Sequence, residues 1–265
     1  MYEFNYHRPG TLESAAAALA AAEDGQVLAG GQTLIPTLKQ RLASPSDVVD
    51  IGSIIGLRAI RRDGDAIMVG ALARHADVAS SSVVQGAIPA LASLADGIGD
   101  PQVRNCGTIG GSIANADPAA DYPAAVVGLG ATVRTNQRTI AGDDFFTGLF
   151  ETALEDGEIV VSVSFPVPHR AAYAKFPNPA SRYAIVGVMV AETDGGVRVA
   201  VTGAGDSVFR VDAMEAALGD SFSADAIHGV SVSQDGLNED IHASAEYRAH
   251  LVGVMARRAV AAAAG

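Results

Sequence analysis

The chain has 265 residues, 49% of them hydrophobic, with a formal net charge of −12 and only two lysines, Lys39 and Lys175. That length and apolar content support one large domain or two moderate ones, and the charge excludes a nucleic-acid or anionic-membrane surface, which needs clustered Lys and Arg. A single cysteine, Cys106, excludes an internal disulfide and cannot furnish the thiolates of an iron–sulfur cluster, so cluster chemistry, if any, belongs to a partner.

The first eight residues lack the basic and apolar regions of a secretion signal, and the longest apolar stretch, 122–133, is too short to cross a bilayer. A cytoplasmic chain is expected. Pro9-Gly10-Thr11 opens a helix over 12–22, with Thr11 as N-cap and Glu13 in the first turn. A strand over 26–29, the turn Ala29-Gly30-Gly31-Gln32-Thr33, a helix to about residue 42 and a strand over 48–51 make a small α/β unit. A strand pair over 57–61 and 66–69 opens a second unit, followed by helices near 73–80 and 88–98. Thr108-Ile109-Gly110-Gly111-Ser112 then leads into the loop Asn115-Ala116-Asp117-Pro118-Ala119-Ala120-Asp121-Tyr122-Pro123 and an apolar helix to residue 129.

A strand over 131–135, a helix near 145–150 and a strand over 158–165 end at Pro166-Val167-Pro168, where a domain boundary is expected. Beyond it, strands over 183–192 and 197–203 flank Thr193-Asp194-Gly195-Gly196, a hairpin signal. Helices over 211–218 and 244–264 follow, the last carrying Tyr247, Leu251 and Val254 on one face. The expected fold class is α+β: two α/β subdomains, 1–52 and 53–168, then a C-terminal α+β domain over 169–265 with a small antiparallel sheet.

The two double-glycine segments carry the chemistry. Each lies where a β-run gives way to a helix, so backbone N–H groups aim outward, no Cβ keeps an anion away, and the helix end adds partial positive charge. Neither G-x-G-x-x-G nor G-x-x-x-x-G-K-[ST] occurs, which disfavours a plain Rossmann or Walker site. A Gly-Gly pair is also an ordinary tight turn; two with one layout point to a shared diphosphate. The histidines (His7, His75, His169, His228, His242, His250) show no metal spacing and read as surface or core residues, and no G-x-S-x-G elbow is present.

These segments resemble the FAD-binding medium subunits of molybdenum hydroxylases, in particular the carbon monoxide dehydrogenase type. The resemblance runs through Tyr6 to Pro9, Leu28 to Pro36, Arg41 to Ala43 with Val49 to Ile51, Gly99 to Asn105, Gly107 to Ser112, Ala116 to Asp121, Lys175-Phe176, Tyr183-Ala184 and Glu246 to Arg248. It implies a PCMH/VAO-like FAD-binding domain with FAD as cofactor and the diphosphate between the two glycine segments. It also implies a small 2Fe–2S subunit and a large molybdopterin subunit as partners, in a dimer of heterotrimers that is membrane-associated, if at all, through the complex. Quinone, NAD or oxygen is the external acceptor.

By resemblance, Ala29, Gly30, Gly31, Gln32, Thr33 and Leu34, and Thr108, Ile109, Gly110, Gly111 and Ser112, match the phosphate-contacting segments. Asp121 matches a carboxylate that hydrogen-bonds the cofactor, with a solvated loop aspartate as the alternative. Ile159 and Val160 match strand backbone along the cofactor, although their side chains suit plain core equally. Lys175 matches a lysine near the flavin ring and Tyr183 an aromatic covering its reactive edge; an exposed strand lysine and a core tyrosine are the alternatives. Gln32-Thr33 stands where the carbon monoxide enzymes have His-Ser, and Ser112 where Asn is frequent. Both swaps keep hydrogen-bonding side chains but leave aldehyde, N-heterocycle and purine dehydrogenases, a stand-alone flavin oxidoreductase and a non-redox nucleotide-binding module as other readings.

Overall fold

In the computed structural model, which describes residues 1–265, β1 (Asn5–His7), β2 (Gly25–Leu28) and β3 (Asp47–Asp50) pair parallel in the order β1-β3-β2. Parallel pairing needs crossovers, and α1 (Leu12–Ala21) and α2 (Leu34–Lys39) lie in them. Thr11 caps α1 as expected, its hydroxyl accepting the Ser14 amide. The second helix stops at Lys39, short of residue 42, and Arg41 just beyond it takes a left-handed φ of 60°.

The second unit begins with β4 (Ile60–Asp63) and β5 (Ala66–Gly70), then runs through α3 (His75–Ser80), α4 (Ser82–Ala87), α5 (Pro89–Asp96), α6 (Pro101–Cys106), α7 (Ile109–Asn115) and α8 (Tyr122–Gly128). β6 (Thr132–Thr135), β7 (Thr139–Ala141), α9 (Gly142–Phe145), the hairpin β8 (Phe146–Gly148) and β9 (Glu151–Thr152), and β10 (Val160–Pro166) complete it. Its five-stranded sheet, order β4-β5-β10-β6-β7, is antiparallel throughout. The unit therefore pairs an antiparallel sheet with helices and is not the βαβ type of the first. Ile67, Val69, Val133, Val163 and Phe165 share one core with Val78, Leu91 and Ala125. The helix expected over 145–150 is one turn followed by the β8–β9 hairpin, and Phe150 at its tip has φ 55°.

The C-terminal sheet is antiparallel, β11 (Arg170–Pro177), β12 (Ala184–Thr193), β13 (Gly196–Thr202) and β14 (Phe209–Arg210) in sequence order, and the hairpin closes at Thr193–Gly196. β12 is buried on both faces, which explains its unbroken apolar run: Val186, Val188 and Val190 pack under α10 (Asp212–Asp220) and α11 (Ala245–Ala264), while Met189 and Ala191 enter the core of the preceding unit. In α11 the packed face is Arg248, Leu251, Val252, Met255, Ala256 and Ala259. Tyr247 is 43% exposed, so the expected Tyr247–Leu251–Val254 stripe is rotated about the axis from the true one.

One buried ion pair ties the second sheet to its connecting loop. Glu158, whose side chain is fully buried, accepts hydrogen bonds from Arg138 at 3.0 Å, the Thr135 hydroxyl at 2.9 Å and the Glu155 amide at 2.8 Å. The Arg138 guanidinium outweighs burial and holds the carboxyl below its ordinary range. A carboxylate so depressed stabilises the fold above its unfolded value and loses that contribution as the pH falls through the folded one. Glu158→Gln is therefore expected to melt lower than the parent near pH 7, with the gap holding until about pH 4.3 and closing as the pH falls further, through the lowered folded value. Parallel melts check this, and a gap that does not change with pH contradicts it.

Candidate functional site

The first glycine segment joins β2 to α2. Gly31, at φ +73°, makes the corner, and the bonds Ile35 N–H to Gly31 O and Thr37 N–H to Thr33 O open the helix. None of the amides from Ala29 to Leu34 donates to a protein acceptor. The segment is pressed against the end of α6: a Cβ on Gly30 would stand 1.9 Å from the Cys106 carbonyl oxygen, and the Cys106 thiol donates to Gly30 O at 2.8 Å. Glycine is required there by backbone proximity.

The second segment differs from expectation. Its amides are spent within the protein: Ile109 N–H on Ala73 O at 3.0 Å, Gly110 N–H on Ala71 O at 2.9 Å, Gly111 N–H on the Thr108 hydroxyl at 3.1 Å and Ser112 N–H on Thr108 O at 2.9 Å. Thr108, the N-cap of α7, keeps the one amide of the segment without an acceptor. Gly110 serves close packing, since a Cβ there would lie 2.5 Å from Ala71 Cβ. Gly111 instead turns its bare face toward the first segment, with Ala29 Cβ at 3.7 Å.

Between the segments lies a cavity of about 170 Å³, lined by Ala29, Gly30 and Thr108 and rimmed by Arg58, Arg74 and Asn105. Neither guanidinium has a carboxylate partner, and that of Arg58 donates only to Gly52 O at 3.4 Å. Both escaped the sequence reading; the available signal was a lone arginine, Arg74, closing the apolar run Ala71-Leu72-Ala73. His75, next in line, is 4% exposed, and burial lowers its pKa to about 4, with help from Arg104, so the ring is neutral.

Asp121, Lys175 and Tyr183 come together as a second cluster, at the joint with the C-terminal sheet. The Ala116–Asp121 loop docks there through Thr202 Oγ1, which donates to Pro118 O at 3.0 Å and Ala120 O at 2.6 Å, and through the Gly203 and Ala184 amides, on Pro118 O and Ala119 O. Asp121 is 4% exposed and accepts from the Tyr173 hydroxyl at 2.5 Å and Lys175 Nζ at 3.0 Å. Burial pushes its pKa up against the opposing pull of Lys175 and Tyr173. Within the chain the Asp121 carboxylate is thus engaged by Tyr173 and Lys175, and Lys175 is not the exposed strand lysine of the alternative reading. Its ammonium also donates to Gly97 O at 2.8 Å and Arg182 O at 3.0 Å, which uses all its protons.

Tyr183 is 45% exposed, and burial first, then Asp117 and Asp121, raises its hydroxyl pKa. Ile159 and Val160 are core residues, and the Ile159 amide donates to the Asn136 side chain while its carbonyl accepts the Asn136 amide, so the Ile159 N–H has no proton left for a ligand. Tyr173 was missed; strand alternation places it on the same face as Lys175 two positions on, which was the available clue.

A family model described as "FAD binding domain in molybdopterin dehydrogenase" matches residues 2–168. The chain is 35% identical to the nicotine 6-hydroxylase medium subunit of Paenarthrobacter nicotinovorans, covering 96% of this chain and 95% of that one. It is 34% identical to the carbon monoxide dehydrogenase medium chain of Hydrogenophaga pseudoflava, over 98% and 96%. A solved structure of carbon monoxide dehydrogenase from Hydrogenophaga pseudoflava superimposes with a TM-score of 0.89 at 35% identity, over 98% of this chain and 97% of that one.

Proposed function

Because this chain belongs to the FAD-binding family of the molybdopterin dehydrogenases, we propose that it carries electrons from the 2Fe–2S clusters of a small partner to an external acceptor, within a heterotrimer whose large molybdopterin subunit oxidises substrate. It is a flavoprotein oxidoreductase subunit and its cofactor is FAD. The observation that carries the reading is the run of amides from Ala29 to Leu34 with no protein acceptor, beside a cavity rimmed by two arginines that no carboxylate neutralises. A diphosphate is the ligand such a donor set fits. When bound, FAD accepts electrons singly and releases them as a pair, which suits a station between one-electron clusters and a two-electron acceptor.

Each residue then has a bounded task. The first segment donates to the diphosphate; Gly111 keeps the opposite wall bare; Arg58 and Arg74 supply positive charge; and Tyr183 stands beside the flavin ring and governs access to it. Substrate identity follows from the large partner. Carbon monoxide, N-heterocycles, aldehydes and purines are the candidate classes, with quinone, NAD or oxygen as acceptor.

Isolation of the intact complex from its source, with subunit mass spectrometry and quantitation of released flavin, tests the reading. A complex with a cluster subunit, a molybdopterin subunit and one FAD per copy of this chain supports it; robust substrate turnover by this chain alone overturns it. Arg74→Gln is expected to weaken FAD binding about tenfold, roughly 1.4 kcal/mol, and to reduce its salt sensitivity. Flavin released from the complex across a salt series measures both, and an unchanged series removes Arg74 from the site.

A further inference from the structure

We propose that Lys175 is a positioning residue for Tyr183: its ammonium pins the turn that carries the tyrosine, and so fixes where the ring stands. The inference rests on the flavin reading for its consequence, not for its geometry. β11 and β12 are joined by residues 178–183, a turn organised locally by Asn178, whose side chain accepts the Ala180 and Ser181 amides while its backbone pairs with Arg182 and Tyr183. These bonds shape the turn but do not place it on the protein.

Beyond the Ala184 amide on Ala119 O, placement comes from a few side-chain ties. Lys175 Nζ joins Arg182 O to Gly97 O just beyond α5 and to Asp121, and the Arg182 guanidinium reaches Gly99 O at 3.1 Å. Arg182 holds a left-handed φ of 63°, a conformation a non-glycine residue keeps only where its surroundings impose it. The lysine carbonyl contact is made one residue before Tyr183, so the tie acts on the tyrosine's own backbone. Asp121 is oriented for this task by Tyr173, and bare Gly187 gives the Tyr173 hydroxyl its room, since a Cβ there would lie 2.1 Å from it. Asp121, Tyr173, Lys175 and Gly187 thus form one device, with Tyr183 at its output.

The chain has no tryptophan, so Tyr183→Trp introduces a fluorescent reporter that speaks for this turn alone. Lys175→Met keeps the aliphatic stem but strands the Asp121 charge in the interior; Lys175→Met with Asp121→Asn removes both charges, and so separates loss of the tie from loss of the fold. In the full chain carrying Tyr183→Trp, adding that pair of substitutions is expected to give about a twofold larger acrylamide quenching constant and lower anisotropy for the introduced indole, with far-ultraviolet circular dichroism retained. Unchanged quenching and anisotropy in that folded variant overturn the inference. In the intact complex with Tyr183 retained, the same pair of substitutions is expected to shift the flavin reduction potential. An indole response without any flavin shift leaves Lys175 as the anchor of the turn and instead defeats the placement of Tyr183 beside the ring.

Discussion

Gly111→Leu is expected to abolish FAD retention while the chain stays folded. The second glycine segment is a helix start, not a free loop, and its two glycines answer to different constraints. A side chain at Gly111 projects toward the Thr108 hydroxyl and Ala29, two residues that line the cavity between the segments. Its nearest neighbours are the Thr108 hydroxyl at 3.0 Å and Ala29 Cβ at 3.7 Å, so a small shift of one hydroxyl admits the Cβ, and the rest of the leucine fills space a diphosphate needs. Leucine inside α7 also recovers about 0.8 kcal/mol of helix propensity, which offsets the crowding. FAD affinity should fall by about 100-fold or more, roughly 3 kcal/mol. Flavin absorbance of the purified complex checks this, with a melting curve as the control for folding.

Gly110→Ala should do the opposite. A Cβ there meets Ala71 Cβ at 2.5 Å, Ala71 O at 2.7 Å and Ala71 Cα at 2.9 Å, all belonging to backbone or its first carbon. The contact displaces α7 from the end of β5, and overpacking of this kind costs about 1–3 kcal/mol. A Gly111→Leu protein with full flavin content would show that the second segment does not face the cofactor. Equal loss of stability in the two variants would show that both glycines are there for packing alone.

Local signals were legible and long-range ones were not. Thr11, Ser81, Asp100, Thr108 and Ser244 all cap helices through their own side chains, a device that acts over a few residues. Only the Thr11 cap is used in the sequence reading, and α4 and α6 were missed with Ser81 and Asp100. The corner at Gly31 and the Thr193–Gly196 hairpin were equally readable, because glycine and turn chemistry are local. The amides of Ile109 and Gly110 meet acceptors on Ala73 and Ala71, more than thirty residues earlier, so pattern alone left them free. Lys175 and Asp121 are 54 residues apart, and nothing local says that two charges will neutralise each other in the interior. β11 was overlooked for a related reason: Arg170, Tyr173 and Lys175 break its apolar alternation, and each has a partner on another element or strand, Glu192 for Arg170 and Asp121 for the other two.

Arg248 shows the same limit in a form that predicts a large loss of stability. A positive charge in the first turn of an amphipathic helix reads as the solvent side, yet Arg248 is 4% exposed. Its guanidinium donates to Ile185 O at 2.7 Å, Gly203 O at 2.9 Å and Asp240 at 2.7 Å, while Nε has no partner. The two carbonyls lie at the start of β12 and just past β13, beside the site where Ala184 and Gly203 grip the Ala116–Asp121 loop. Arg248→Met keeps the stem and the packing but leaves both buried carbonyls without donors, at about 1–3 kcal/mol each before relaxation. Asp240, about half exposed, recovers water and adds little. The net loss is expected to be about 3 kcal/mol, which for a chain of this size lowers the melting temperature by roughly 6–12 °C. Arg248→Lys should recover part of it through one carbonyl. Denaturant melts of the three proteins decide the matter: if the methionine variant matches the parent, the guanidinium is a passenger, and the grip on the Asp121 loop must come from Thr202 and the strand amides alone.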